Sequence, residues 1–241
     1  MYNNYDSLNK YLLKSLDNQT ADYELILVDN TKKKFNSASE ALNHGGKMAK
    51  GEYIIFVHQD VDLLSAKFLE DLEQILDKIT NLGIAGVAGK SELNRFIISN
   101  IKQGKPSKYA AKIQITETVN VQTVDECFFV TPKTVFDRVK FDEKVCDGWH
   151  LYAVDYCLSV GEMNYAVYVV PISLYHRSVA GSFSKDYYST IKKLIKKHKK
   201  NFDPIYTTMG NWNSYYPLSL QILYQIIILY YTKFRQSTGR R

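Results

Sequence analysis

Apolar and polar positions alternate between two rhythms along the first ninety residues. Leu8, Leu12, Leu13 and Leu16 recur at helical spacing behind Asp6 and Ser7, either of which can cap a helix. Glu24-Leu25-Ile26-Leu27-Val28 is a short apolar run that leads into Asp29-Asn30 and reads as a buried strand. Residues 37–50 predict a helix with Asn36 or Ser37 near its start, weakened in its second half by Gly45-Gly46. Tyr53-Ile54-Ile55-Phe56-Val57 is a second buried strand, ending at His58-Gln59-Asp60-Val61-Asp62. Ser65 then caps a helix with Phe68, Leu69, Leu72, Ile75, Leu76 and Ile79 on one face, and residues 84–88 form a third strand. Strand and helix in alternation predict an α/β fold with a mostly parallel sheet flanked by helices.

The rhythm then loosens. Residues 89–111 are polar and basic and read as a surface loop, and the alternation of Ile113, Ile115, Val119 and Val121 predicts a hairpin over 112–124. A strand at 127–130 is stopped by Thr131-Pro132, a helix spans 149–160, and a strand at 166–170 is stopped by Pro171. Near the C-terminus Ile191, Leu194, Ile195 and His198 form one helical stripe, with Lys192, Lys193, Lys196, Lys197, Lys199 and Lys200 around it. An apolar segment over 218–231 follows, then Lys233, Arg235, Arg240 and Arg241. That segment contains Ser219, Gln221 and Gln225 and is shorter than the ~20 residues a spanning helix needs. This change of character divides the chain into a domain over 1–188 and a basic, apolar helical extension over 189–241.

Composition narrows the class. The chain has 241 residues, 45% hydrophobic and 23% charged, enough to bury a substantial core. With only 12 glycines and 5 prolines, collagen-like and low-complexity classes are excluded. The net charge of +6 is modest, and the aromatics do not interleave with the lysine cluster, so no nucleic-acid partner is expected. Cys127, Cys146 and Cys157 are too few and scattered for a disulfide framework or a zinc site, which suits reduced thiols in a cytoplasmic protein. The first residues lack the basic and apolar regions of a signal peptide.

Ligands of open α/β sheets bind beyond the carboxyl ends of the strands. Asp29, Asp60 and Asp62 fall there, and Asp60 and Asp62 spell Asp-x-Asp after five apolar residues. Carboxylates so placed suit Mg²⁺ or Mn²⁺, with substrate phosphates completing the shell.

Three stretches carry a family resemblance. They are residues 24–29, then Ala41-Leu42-Asn43-His44-Gly45, then Ala49-Lys50-Gly51-Glu52-Tyr53-Ile54-Ile55-Phe56-Val57-His58-Gln59-Asp60. Together they resemble the nucleotide-binding half of family 2 glycosyltransferases, which have the Rossmann-like GT-A fold. The Phe-Val-His-Gln-Asp form, with Gly148-Trp149-His150 and Asp155-Tyr156-Cys157-Leu158 later, is similar to a bacterial subgroup of that superfamily.

The resemblance implies roles position by position. Asp29, with Asn30 beside it, would contact the donor nucleobase, and Asn43 would sit near the nucleotide. Asp60 matches the metal-binding second Asp of the family motif; His58 stands where the first Asp is expected, near the donor ribose. Asp62 completes Asp-x-Asp by spelling, and His176 matches a position that is a metal ligand in some relatives. Tyr152-Ala153 replaces the usual Glu-Asp, so Asp155 becomes the base candidate, with Asp147 and Asp125 as rivals. Trp149 offers a flat face to a sugar, with His150 beside it as an acceptor contact.

The implied activity is metal-dependent, inverting transfer of a hexosyl or deoxyhexosyl unit from a UDP- or dTDP-linked sugar to a surface-polysaccharide (cell-wall or capsule) or lipid-linked glycan acceptor. The implied place is the cytoplasm, at the inner face of the plasma membrane, with the 218–231 segment meeting either the membrane or a second copy of the chain. The alternative is a catalytically degenerate relative that binds a nucleotide or a partner. It is motivated by Tyr152-Ala153 and by the family's first strand, of which only Tyr2-Asn3 is represented. Loss of that strand would leave two sheet edges open.

Overall fold

The computed structural model describes residues 1–93, 96–178 and 184–238. Its centre is a five-stranded sheet in the spatial order Tyr53–Val57, Phe128–Pro132, Leu82–Gly86, Ala166–Val169, Val119–Asn120. The apolar runs form its inner strands: Ile84, Ala85, Phe129 and Val130 are buried completely, as strands covered on both faces must be. The sheet is mixed rather than mostly parallel. Only Ala166–Val169 on Leu82–Gly86 is a parallel pairing, because Phe128–Pro132 inserts antiparallel between Tyr53–Val57 and Leu82–Gly86.

Helices cover both faces. Ala38–Met48 and Tyr152–Glu162 pack on one side, through Ala38, Tyr156 and Val160 against Phe56, Ile84 and Phe129. On the other, a helical N-terminal segment over residues 5–16 and the Phe68–Leu76 helix bury Leu8, Leu12, Phe68 and Leu72 against Phe128 and Val130. Ser37 caps Ala38–Met48 by accepting from the Glu40 N–H at 3.1 Å, and Glu40 reaches back to the Asn36 N–H at 2.8 Å.

Three segments depart from the sequence pattern. Residues 24–28 are not a strand; Leu25 and Leu27 are each 45% exposed, Val28 packs on Phe35 and Ala41, and the β-type contact is a parallel bridge between Tyr2 and Asp29 at the end of the segment. A strand needs a partner for its amides, and here none lies alongside. Residues 112–124 do not fold on themselves: Val119–Asn120 joins the central sheet, while Thr123–Val124 pairs with Ala88–Lys90. The polar stretch 89–111 is not all loop, since Ile101–Gln103 and Lys108–Tyr109 join a second sheet with Leu174–His176 and Val61–Asp62.

The lysine-rich helix Lys185–His198 lies against Tyr152–Glu162, burying Ile191 and Leu194 with Leu158 and Trp212. Beside that apolar seam is a buried ionic cluster. His198 Nε2 lies 2.9 Å from Asp155 Oδ1, and its Nδ1 lies 2.9 Å from Glu162 Oε1. Lys197 Nζ donates to both Asp155 oxygens, at 2.9 and 3.0 Å, and to Asp142 Oδ2 at 3.0 Å. The final helix, Leu218–Thr238, exposes Leu220, Leu223, Tyr224, Ile227 and Tyr230. Arg240 and Arg241 lie outside the described residues.

His198→Ala would take a fully buried ring out of the structure and leave Asp155 Oδ1 and Glu162 Oε1 each short of one partner. It should therefore lower the unfolding free energy by about 3 kcal/mol. Urea denaturation followed by far-UV circular dichroism measures this; an unchanged midpoint would show the cluster to be unimportant for stability.

Candidate active site

The Tyr53–Val57 strand ends at His58, whose N–H still donates to Cys127 C=O at 2.9 Å. The chain then turns into Val61–Asp62, which pairs antiparallel with Leu174–His176 so that His176 stands opposite Val61. Two strand ends far apart in sequence thus deliver His58, Asp60 and His176 to one point. A ligating atom from each lies within 4.8 Å of the others.

The electrostatics of these three suit a cation. Asp60 is held well below the usual carboxylate range: burial works against ionisation, but contacts from His176 and Ser178 outweigh it. Ser178 Oγ donates to Asp60 Oδ2, and Arg177 N–H donates to its backbone carbonyl at 3.1 Å. Burial, and then the proximity of His176, push His58 down to about 4, so its ring is neutral at pH 7, as a metal ligand must be. His58 Nε2 is 3.1 Å from the Tyr152 hydroxyl, which orients the ring. His176 Nε2 lies 3.3 Å from Asp60 Oδ1 but without the angle of a hydrogen bond, and this buried nitrogen has no other partner. One carboxylate, two imidazoles and an unsatisfied buried nitrogen fit Mn²⁺ or a similar divalent ion.

A cleft of ≈260 Å³ opens beside this cluster, lined by Met1, Asn3, His58, Asp60, Glu126, Trp149, Tyr152 and Ser178 among others. Glu126 is the residue that the sequence pattern did not single out. Its Oε1 is buried without a hydrogen-bond partner, and burial, then the charge of Asp125, raise its carboxyl well above the ordinary value. The amides of Leu151, Tyr152 and Ala153 act in the opposite sense, favouring the anion. Leu151 takes a left-handed conformation (φ 68°, ψ 8°) that starts the Tyr152–Glu162 helix at this spot. Only the sheet register and the turn at Leu151 reveal Glu126. Its neighbour Asp125 turns away, accepting from Cys127 N–H at 3.0 Å and Thr208 Oγ1 at 2.9 Å.

The other sequence candidates are distributed around and away from this cleft. Trp149 lines it and is 39% exposed, available to a flat ligand. His150 instead meets the Tyr187 ring at 6.0 Å. Asp29 is exposed beside Tyr2, its Oδ1 accepting from Thr31 N–H at 2.8 Å. Asn30 is buried and holds a turn, accepting from Phe35 N–H at 2.8 Å. Asn43 is buried too, and joins its helix to residues 141–143 by accepting from Phe141 N–H at 3.0 Å and donating to Phe141 C=O at 2.9 Å. Asp62 pairs with Tyr175, and burial raises its carboxyl while Lys14 opposes this; it is not in the three-residue cluster. Asp155 is 1% exposed with both oxygens bound by Lys197 and His198. Asp147 is exposed and paired with Lys193 at 2.6 Å.

Two outcomes check this geometry. Asp60→Asn and His176→Ala should each weaken Mn²⁺ binding by more than about tenfold, while Asp62→Asn leaves it unchanged, by calorimetric titration. In the metal-free chain His58 binds its proton less readily folded than unfolded. Stability should therefore fall as pH drops from 6.5 through about 4, and His58→Gln should flatten that slope.

Comparison with known proteins gives this geometry a context. The crystal structure of GalNAc-T7 with UDP, GalNAc and Mn²⁺ superposes with a TM-score of 0.57 at 12% identity, over 80% of this chain and 45% of that one. The fold is therefore GT-A. The ATP synthase subunits region ORF 6 protein of Fuscovulum blasticum is 23% identical over 161 residues, 64% of this chain and 62% of that protein. The chain thus spans about half to two thirds of the length of these two proteins. The model of the glycosyltransferase like family matches residues 3–198, and the chain belongs to that family.

Proposed function

We propose that the chain transfers a sugar from a nucleoside diphosphate to a hydroxyl of a glycan or lipid-linked acceptor, with inversion at the anomeric carbon. The observation that carries this reading is the single cleft that joins the His58–Asp60–His176 cluster to the unpartnered Oε1 of Glu126. The GT-A neighbour crystallised with UDP, GalNAc and Mn²⁺ supports a UDP-linked donor. A divalent ion held by His58, Asp60 and His176 would neutralise the diphosphate as it leaves.

The residues of the chain do the rest. Trp149 would lie against a sugar face, and Ser178 and Tyr152 keep Asp60 and His58 in place. Glu126 would take the proton of the acceptor hydroxyl as its oxygen bonds to the anomeric carbon and the bond from that carbon to the phosphate oxygen breaks. A carboxyl raised by burial is a better base near pH 7 than an exposed one. Asp155 is not given this role, because its lone pairs are already committed to Lys197 and His198. Asp29 and Asn43 are left with the donor nucleotide only as neighbours of its seat, since the hydrogen bonds of Asn43 go to Phe141.

The acceptor side has its own support. Among the described residues no helix is long and apolar enough to cross a membrane. Yet Leu218–Thr238 exposes a row of large apolar side chains, and Lys192 and Lys196 on the preceding helix and Lys199 and Lys200 just after it are exposed. Apolar side chains with flanking lysines suit an anionic lipid surface, where a lipid-linked acceptor is presented. The degenerate-relative reading rests on Tyr152-Ala153 and on the family's first strand, of which only Tyr2-Asn3 is represented; against it, Tyr152 has a positive role here as the partner of His58.

Glu126→Gln should lower kcat by at least about a hundredfold while Mn²⁺ and UDP still bind, since the proton moves only in the transition state. Release of UDP from UDP-sugars with Mn²⁺ reads the first, and titration the second. UDP binding with no turnover by the parent chain on any sugar donor would favour the degenerate reading. Anionic liposomes at low salt should sediment the full chain but not one ending at Tyr216; equal recovery in the supernatant would remove the lipid surface.

A further inference from the structure

A second cavity, of ≈610 Å³, lies between the final helix Leu218–Thr238 and the hairpin in which Ile205–Thr207 pairs with Gly210–Trp212. Two of its walls thus come from residues beyond 3–198, the stretch that the family model matches. Both are held in place by hydrogen bonds. Gln221 is buried and ties the helix to the loop before it, accepting from Asn213 N–H at 3.0 Å and donating to Tyr216 C=O at 2.7 Å. Gly210 lets helix and hairpin approach, since a Cβ there would meet Gln225 Nε2 at 3.0 Å. A third wall includes Lys90, at the end of the Ala88–Lys90 strand and opposite Thr123; Thr123 Oγ1 in turn donates to Tyr206 C=O in the hairpin. Among the described residues Lys90 is the one charged residue that lines this cavity, and it is half-buried without an ion pair. Burial holds its ammonium below the ordinary lysine value. A cation so placed has lost water without gaining a counter-charge, and an anion would restore the balance.

We infer that this cavity is an acceptor subsite for the phosphate of a lipid-linked glycan, with Lys90 as its counter-ion and the apolar row of Leu218–Thr238 as the seat of the lipid. Three observations select that ligand. Leu220 and Tyr224 line the cavity and also belong to the exposed apolar row, which continues through Leu223 and Ile227. A ligand whose anion meets Lys90 can therefore lay an apolar chain along the helix; an acidic sugar would use Lys90 and leave that row uncovered. Thr208 lines the cavity too, and its Oγ1 donates to Asp125 Oδ2 at 2.9 Å, one residue before the proposed base Glu126. The sugar end of the ligand would thus lead toward the cleft where the hydroxyl reacts. Between these two ends Asn211 and the phenol of Tyr216 offer polar contacts to the atoms around the phosphate. The inference rests on the lipid-linked acceptor proposed above and adds to it the residues that would bind it.

Geranyl diphosphate is titrated calorimetrically into the full chain with EDTA present, so that the His58–Asp60–His176 cluster holds no metal to attract it. Lys90→Gln should weaken its binding at least about tenfold and Tyr224→Ala at least about threefold, while Mn²⁺ with UDP binds both variants as it binds the parent chain. Tyr224 is exposed on the final helix, so its variant keeps the fold and tests the cavity independently of Lys90. Equal affinity of the parent and both variants overturns the proposal. So does binding of inorganic diphosphate as tight as that of geranyl diphosphate, which would make the site one for a free anion. Glucuronate bound as tightly would assign an acidic sugar, and displacement of geranyl diphosphate by UDP would move it to the donor seat; either overturns it. No sugar moves in this titration, so the subsite and the reaction are decided separately. Binding that depends on Lys90, without transfer to any lipid-linked acceptor, would remove the acceptor reading while supporting the binding site.

Discussion

The antiparallel pairing of Val61–Asp62 with Leu174–His176 is the contact on which the site depends. It is only two residue pairs long, yet it brings together segments more than a hundred residues apart. Asp60 would otherwise be a carboxylate on a turn, and His176 a ring at the end of a short strand. Their meeting is held by backbone on both sides: His58 by Cys127 and Asp60 by Arg177. Main-chain bonds place the ligand atoms, so the three side chains have little freedom left to lose on gaining a cation.

Local pattern revealed much of the frame. The apolar runs at 53–57 and 128–130 are strands because short runs of apolar residues are covered on both faces of a sheet, whereas the buried positions Phe68, Leu72 and Leu76, four apart, line one face of a helix. What stayed hidden depends on partners distant in sequence. The direction of Phe128–Pro132 between two parallel strands is a matter of topology, and periodicity carries no direction. Residues 24–28 have the composition of a strand and lack the pairing. At the site, Asp60 and His176 were legible through family resemblance, as was the apolar face of Trp149. The place of His58 in the candidate cation cluster and the open Oε1 of Glu126 required the sheet register and the left-handed turn at Leu151.

Asp155 and Glu126 show why a buried acid cannot be assigned from spelling. Both sit on or against the Tyr152–Glu162 helix, both are removed from water, and both lie near motif positions. Asp155 has a lysine and a histidine on its oxygens, so its charge is spent in holding Lys185–His198 to the domain. Glu126 has amides on one side and an open oxygen on the other. A buried charge with its partners complete is a fastening, and changing it costs stability. A buried charge with an incomplete set raises the energy of the ligand-free protein, and a ligand that completes the set recovers it.

The cleft beside the cluster is tied to the start of the chain, since Met1, Asn3 and Gln59 all line it. Gln59 lies between the candidate ligands His58 and Asp60, and its side chain grips the N-terminal residues. Its Oε1 accepts from the Asn3 and Asn4 N–H groups at 2.9 and 3.0 Å, and its Nε2 donates to Asn3 Oδ1 at 2.8 Å. These bonds hold the N-terminal residues and the turn that carries the cluster together as one unit. The Tyr53–Val57 strand that ends in the metal-ligand candidates is paired along its whole length with Phe128–Pro132, so sheet register sets the position of His58 while the grip of Gln59 on Asn3 and Asn4 steadies the turn that follows.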